Sequence, residues 1–298
     1  MRPLLVCART AAIAAVFVVS IGADALAQTS PPASAQPAPP ASAPTEREQN
    51  LINLPTTQPL RRHGGYFRLT HRFARDLRRG SFGQLAEDLF SLDNGAIIGL
   101  EYRFAPSSKL QTGIHRSMLF RTLQVSGRYD VWRQGGGVLP VSLSVVASVE
   151  GTNHMRDNHA PGLGLAVSYA LGDRVMLYAT PMQVWNTSVD DATAVEGHDH
   201  ELPATSEGPA VEHSDDILFV GLGGRLRLRP TVYVAGEYSP RGGHHPGRGA
   251  WGVALEKHTG GHTFQLNFTN TFGTTYGQTA RGGDLHNVYL GFNLVRRF

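Results

Sequence analysis

Cysteine is almost absent from this chain of 298 residues, because Cys7 is its one cysteine. Disulfides, thiolate metal sites and a cysteine nucleophile are therefore excluded for everything that follows it. The chain also lacks an excess of charge of one sign: its formal net charge is +3, and no block of basic residues occurs. This balance gives no support to nucleic-acid binding, so no nucleic-acid partner is expected.

Long hydrophobic runs are missing as well. The apolar stretch at residues 11–21 is too short for a transmembrane helix, which needs roughly 18 residues or more. Arg2 and Arg9 precede this stretch and a small-residue site at 25–27 follows it, which is the pattern of a secretory signal peptide. Residues 1–27 are therefore predicted to be a signal peptide.

The segment that follows, residues 28–50, has no aliphatic side chain larger than alanine and is rich in proline, alanine and serine. Such a composition cannot bury enough apolar surface to offset the entropy of ordering the chain. We predict a disordered tail here, followed by one folded domain at residues 51–298. The tail is either a spacer that extends into the periplasm or a passive leader.

From Leu51 onward, short segments alternate apolar and polar residues, and clusters of Gly, Pro, Asn and Asp separate them. In 262–270, for example, Phe264, Leu266 and Phe268 alternate with polar residues. A period of two is typical of β-strands with two different faces. About twelve strands are predicted, at 65–73, 95–104, 109–116, 122–131, 141–149, 163–170, 175–185, 216–228, 231–238, 250–256, 262–270 and 286–298.

The connections between these strands distinguish a membrane barrel from a soluble sandwich or a lipocalin-like barrel, which share the same alternation. With both termini on the periplasmic side, the predicted connections on that side are short, whereas most on the opposite side are long loops, among them 74–94, 150–162 and 271–284. This is the layout of bacterial outer-membrane barrels. The predicted fold is all-β: a single antiparallel transmembrane β-barrel of about 12 strands, located in the cell outer membrane and in contact with its lipid.

The last predicted strand is apolar at every second position over 288–294 and stops at Phe298. A phenylalanine that closes an amphipathic strand resembles the signal read by the barrel assembly machinery, which is therefore an expected partner. Arg296 departs from the apolar pattern, although its side chain can reach the lipid headgroups. The oligomeric state stays open.

Four segments of the chain look like a known bacterial family. They are residues 53–58 (NLPTTQ), 70–73 (THRF), 85–93 (LAEDLFSLD) and 260–270 (GGHTFQLNFTN). In their order and spacing they resemble the family called domain of unknown function 5777, over roughly residues 51–298. The resemblance implies an outer-membrane-type β-barrel and carries no assigned activity.

Arginine outnumbers acidic residues on the polar faces of the predicted strands. The candidate lumen-facing residues are Arg68, Arg72, Gln124, Arg128, Arg225, Arg227 and Glu237. A water path lined by them would slightly prefer anions. Barrel size does not decide whether such a path exists, because about twelve strands lie between filled barrels of about eight and open channels of about sixteen.

The segment 81–94 is predicted to contain a short helix, because Phe82, Leu85 and Leu89 recur at helical spacing. The favoured position for this helix is at the barrel mouth or at the membrane interface. The alternative is a loop that folds inward and constricts the lumen.

Chemistry-bearing motifs are scarce. The weak candidates for metal ligands are His198, His200 and His213, which fall in one predicted outer loop. Ligands in an irregular loop rarely converge without a scaffold, so we predict no metal site and no cofactor. No serine forms a local signature with a histidine, so no enzymatic activity is expected.

Two functions remain compatible with the sequence. The first is a narrow pore for small solutes, which predicts ion conductance across a bilayer. The second is a non-conducting structural or binding barrel that acts through its long outer loops or its proline-rich tail.

Overall fold

The computed structural model describes residues 48–89, 92, 95–136, 139–187, 216–241 and 249–298, and the predicted signal peptide 1–27 lies outside them. Twelve antiparallel strands form one closed barrel in which sequence neighbours pair and the first strand pairs with the last. The strands are β1 (Gly65–Asp76), β2 (Ala96–Phe104), β3 (Leu110–Ser117), β4 (Leu123–Trp132), β5 (Ser142–Gly151), β6 (Asp157–Leu171), β7 (Val175–Val184), β8 (Ile217–Arg229), β9 (Val232–Ser239), β10 (Ala250–Thr259), β11 (His262–Thr269) and β12 (Tyr289–Arg297). The all-β class and the count of about twelve are confirmed.

The burial of the two strand faces is the reverse of that in a soluble protein. In β11, Phe264 and Leu266 are exposed on the outside of the barrel, whereas Thr263 and Gln265, on the opposite face of the strand, are buried. The same inversion occurs in most other strands, so the barrel carries an apolar outer belt around a largely polar interior. Lipid is the environment that suits an exposed apolar belt of this kind.

The two ends of the barrel differ in their connections. We call one end the short-turn mouth, because connections such as 172–174, 230–231 and 260–261 are tight there. The other end is the long-loop mouth, with the connections 77–95, 185–216 and 270–288. The predicted long loop 150–162 is wrong, because Glu150 pairs with Ala160 and β6 already begins at Asp157.

Three short helical segments lie outside the sheet: α1 (Phe82–Glu87), α2 (Thr152–Met155) and α3 (Tyr276–Ala280). Helix α1 begins with a capping box, in which Ser81 and Gln84 each accept a hydrogen bond from the other residue's backbone N–H. None of its residues is buried, so helix α1 does not pack inside the lumen, as the favoured interpretation had it; residues 90, 91, 93 and 94 lie outside the described part. No helix within the described ranges is long and apolar enough to cross a membrane.

Two other segments fill the lumen. The inner hairpin, residues 48–60, enters from the short-turn mouth, and the inner loop, residues 270–288, enters from the long-loop mouth and carries α3. Residues 48–50 are buried, which corrects the end of the tail predicted at 28–50; residues 28–47 lie outside the described part. The loop 271–284 is not simply an outer loop, because all five residues of α3 are buried against the barrel wall.

The outward face of the barrel can be tested with a charge placed at mid-membrane depth. We expect Leu266→Arg, in the middle of β11, to lower the free energy of unfolding by about 2–4 kcal/mol, because hydrocarbon solvates a guanidinium poorly. Leu110→Arg, at the short-turn end of β3, should cost about 0–1 kcal/mol, because its side chain reaches the interface. Urea unfolding from lipid vesicles measures both variants, and equal costs would contradict the proposed belt.

Candidate functional site

The inner hairpin has both of its ends at the short-turn mouth. Near its start, the carboxylate of Glu48 accepts a hydrogen bond from the Thr263 hydroxyl at 2.5 Å, and Thr263 lies next to the first residue of β11. The chain rises into the lumen, where Asn50 and Pro55 form an antiparallel bridge, and then returns. Near its end, Leu60 packs with residues at the short-turn ends of β1, β2 and β12.

The tip of the hairpin lies between an anion and a cation of the wall. The backbone N–H groups of Ile52, Asn53 and Leu54 donate to the carboxylate of Glu237, at 3.0, 2.9 and 3.1 Å. Successive N–H groups that converge in this way form an anion-binding nest. From the opposite side, the Arg72 guanidinium donates to the Asn53 side-chain oxygen at 3.3 Å.

Three further arginines bind backbone carbonyl groups of the hairpin. The bonds run from Arg68 to Ile52 (2.9 Å), from Arg225 to Asn50 (2.9 Å) and from Arg128 to Thr56 (2.6 Å). These arginines come from β1, β8 and β4, so they hold the hairpin from different sides of the barrel. The hairpin is not part of the sheet, so arginine side chains of the wall supply the donors for its backbone C=O groups.

Each of these three arginines also has a carboxylate partner in the wall itself. The ion pairs are Arg68–Glu101 (2.7 Å), Arg225–Glu256 (3.0 Å) and Arg128–Asp130 (3.2 Å). All six side chains are almost completely buried. Glu101 also pairs with Arg103, and Asp130 with Arg133. Each of the three arginines therefore keeps a carboxylate neighbour without the hairpin.

Apolar side chains of the hairpin enter sockets at glycines of the wall. Leu54 fits against Gly221, Leu51 against Gly223 and Ile52 against Gly252. A methyl group added at Gly221 would lie 2.5 Å from the nearest carbon of Leu54, so each socket exists because the wall residue has no side chain. Around the sockets, Leu51, Ile52 and Leu54 join an apolar cluster with wall residues that include Val146, Ala166, Met176, Met182, Phe219 and Ala235.

The inner loop closes the lumen from the other side. The first two amides of α3 donate to the wall: Tyr276 N–H to Gln124 at 2.8 Å and Gly277 N–H to Glu150 at 3.0 Å. Burial raises the pKa of the Tyr276 hydroxyl, so its ring joins the apolar cluster uncharged. Hairpin and loop together therefore leave the lumen filled in this state.

The structure places all seven predicted lumen-facing residues on inward faces. Arg68, Arg72, Gln124, Arg128, Arg225 and Glu237 are buried and bind the inner hairpin or the inner loop. Arg227 lies nearer the short-turn mouth and forms an ion pair with Asp173. The sequence left open whether the lumen that they face holds a water path, and in the structure most of them contact protein.

The weak candidates for metal ligands fall in a part of the chain that the structure does not describe. His198, His200 and His213 lie outside the described residues. Among the residues that are described, no group of three or more histidine or carboxylate side chains is placed to hold a metal ion.

Sequence reasoning missed the two inner segments and the wall carboxylates that pair with the arginines. One signal for the hairpin was available. Leu51, Ile52 and Leu54 are apolar but do not follow the alternation of a strand, and they lie upstream of the first strand, which begins at Gly65. Glycines on the inward faces of β8 and β10 were a second signal of close packing inside the barrel.

The structure is similar to several solved outer-membrane channels at low sequence identity. The KdgM porin is 8% identical, with 79% of this chain and 98% of that chain covered and a TM-score of 0.45. The NanC porin is 7% identical, with coverage of 78% and 97% and a TM-score of 0.46. The COG4313 outer membrane channel from Pseudomonas putida F1 is 11% identical, with coverage of 80% and 97% and a TM-score of 0.46.

No curated protein sequence gives a significant match to this chain. A family model does match, and it covers residues 47–298, so it includes the whole inner hairpin as well as the twelve strands. The resemblance seen in the four sequence segments is thereby confirmed. The chain belongs to the family of membrane bound beta barrel domains, DUF5777.

Proposed function

We propose that this protein is a narrow outer-membrane pore for small solutes, and that the inner hairpin holds it closed until the hairpin leaves the lumen. The observation that supports this proposal is the double pairing of Arg68, Arg128 and Arg225. Each binds a hairpin carbonyl, and each also pairs with a wall carboxylate, although Glu101 and Asp130 are shared with Arg103 and Arg133. When the hairpin leaves, these charges stay paired and water can solvate the polar wall.

A permanently filled interior needs hydrogen-bond partners for the hairpin backbone, but uncharged polar side chains could supply them. Buried ion pairs contribute little to stability relative to apolar residues of the same size, because desolvation offsets their attraction. A polar wall is, in contrast, what a water-filled lumen needs. The buried arginines and carboxylates therefore favour a lumen that is wet in one of its states.

The closed state is the resting state in this proposal. Burial of an apolar side chain such as Leu51, Ile52 or Leu54 stabilises the docked hairpin by about 1.5–3 kcal/mol for each side chain. Even at the lower value, the burial of all three side chains together leaves fewer than about one molecule in a thousand in the open state. An unassisted pore would then open only briefly.

The outer membrane and assembly by the barrel assembly machinery belong to the same proposal. They rest on the signal-peptide pattern of residues 1–27, the unequal connections at the two mouths and the position of Phe298 directly after β12. We assign the barrel no catalytic role.

A second candidate is the structural or binding barrel with a permanent plug, which would act through its outer loops or its tail. The apolar cluster favours this function, because departure of the hairpin would expose wall residues such as Met176, Met182 and Phe219 to water. The two candidates differ in whether release of the hairpin produces conductance.

Overfilling one glycine socket should open the pore. The three atoms nearest to a methyl group added at Gly221 all belong to the side chain of Leu54, so Gly221→Leu should displace the hairpin first. Overpacking costs about 1–3 kcal/mol, which corresponds to a roughly 5- to 150-fold higher open probability in planar bilayers. Gly224→Leu, three residues along β8 and with 3.6 Å to its nearest neighbour, is the matched control and should behave as the unaltered protein.

Folding of both variants is checked first by heat-modifiable migration on a gel. Gly221→Leu that folds and stays silent would support the permanent plug. Equal conductance of the two variants would also oppose the gating proposal, because it would indicate a general defect of the barrel.

A reversible tether should close the opened variant again. The hydroxyls of Thr57 in the hairpin and Ser168 in β6 are in direct contact, so cysteines at these two positions are suited to form a disulfide. In a Gly221→Leu background with Cys7→Ser, oxidation of Thr57→Cys/Ser168→Cys should abolish conductance and a reductant should restore it. Each single cysteine variant serves as a control, and conductance that persists after complete cross-linking would exclude the hairpin as the gate.

A further inference from the structure

Basic side chains surround the short-turn mouth. Those that are exposed or half-buried are Arg61, Arg62, Lys109, Arg133, Arg174, Arg227, Arg229, Lys257, Arg296 and Arg297. In the described part of this rim, Asp173 is the one exposed acidic residue, and it already pairs with Arg227. The buried carboxylates of Asp130 and Glu48 pair with Arg133 and Arg297. A positive excess therefore remains at this end of the barrel.

Part of this excess lies on the lipid-facing side. Arg229, Lys257, His262 and Arg296 occupy neighbouring strands, and we call these four residues the basic arc. Arg229 and Lys257 both pair with Val232, and His262 pairs with Arg296. Adjacent strands are about 4.8 Å apart, so the arc spans roughly 20 Å of the barrel circumference from β8 to β12.

The arc lies at the lower edge of the apolar belt. Leu255 and Leu294, each two residues closer to the membrane centre than Lys257 and Arg296, are exposed on the same face. The Arg296 guanidinium is 5.3 Å from the centre of the Phe298 ring. Basic side chains with apolar stems, beside an aromatic ring at the end of an apolar surface, lie at the depth of lipid headgroups.

The side chains of Arg296 and His262 contact each other, and this pair has no carboxylate partner within the described structure. Their side-chain nitrogens are 2.8 Å apart, and within the described structure neither forms an ion pair with a carboxylate. Lys257 donates only to the neutral hydroxyl of Thr231, at 2.7 Å. A bound anion that contacts Arg296 and Lys257 would supply the negative partner that these two charges lack within the described residues.

We propose that the basic arc binds the phosphate of an anionic glycerophospholipid in the leaflet at the short-turn mouth. A guanidinium fork matches the phosphate oxygens, and the adjacent leucines contact the acyl chains. The four groups face lipid rather than the lumen, so a phospholipid reaches them more directly than a solute of the pore does.

The test is native mass spectrometry of the full chain, purified in detergent and offered phosphatidylglycerol and phosphatidylcholine in equal amounts. The unaltered protein should retain phosphatidylglycerol preferentially. In the variant Arg229→Gln/Lys257→Gln/Arg296→Gln, binding of phosphatidylglycerol should weaken about fivefold for each charge removed. The matched control, Arg78→Gln/Arg79→Gln/Arg156→Gln, removes the same charge at the long-loop mouth and should keep the preference.

Three results would overturn the proposal. They are the absence of a preference in the unaltered protein, equal losses in the two triple variants, and binding of soluble polyglutamate by the arc without any preference among lipids. If the triple variant does not fold, Lys257→Gln alone should still lower phosphatidylglycerol binding about fivefold, and no change would count against the arc. The readout is independent of conductance, so its outcome is separate from that of the gating proposal.

Discussion

A backbone segment that enters a lumen sealed from water must find partners for its N–H and C=O groups in the wall. The inner hairpin meets this requirement without joining the sheet. Glu237 accepts from three successive amides at its tip, and arginines such as Arg68 and Arg225 donate to its carbonyls. Charged side chains of the wall thus allow a segment that is not a strand to lie inside the barrel. Once its backbone is hydrogen-bonded in this way, its apolar side chains can pack into the glycine sockets.

The paired arginines also make part of the wall compatible with an empty lumen, whereas Glu237 would lose the three amides that it binds. Glu256 remains beside Arg225, and Glu101 beside Arg68, when the hairpin leaves. Neither arginine is then left as an unpaired charge in a low-dielectric environment. The apolar cluster acts in the opposite direction, since water is a poor solvent for its side chains. The lumen therefore contains two kinds of contact with opposite effects. The apolar sockets favour the docked hairpin, and the ion pairs lower the cost of its absence.

Features that depend on contacts between residues close in the sequence could be predicted, whereas features that depend on contacts between distant residues could not. The strand faces were predictable, because the alternation of Phe264, Gln265 and Leu266 is local and its period is that of the pleat. The contents of the lumen were not, because an inward arginine has the same sequence pattern whether it contacts water or a carbonyl group. The decisive contacts, such as Leu54 to Glu237, join residues far apart in the sequence.

The path of the chain determines the direction in which the lumen can open. Leu60 packs at the short-turn end and continues into β1, so that end of the hairpin is fixed to the wall. The hairpin can therefore leave only toward the short-turn mouth, and the Glu48 arm must move first. The contacts of Glu48 with Thr263 and Arg297 are then the outermost ones to break. A signal that opens the proposed pore acts most directly on this pair of contacts, on the side of the membrane opposite the long loops.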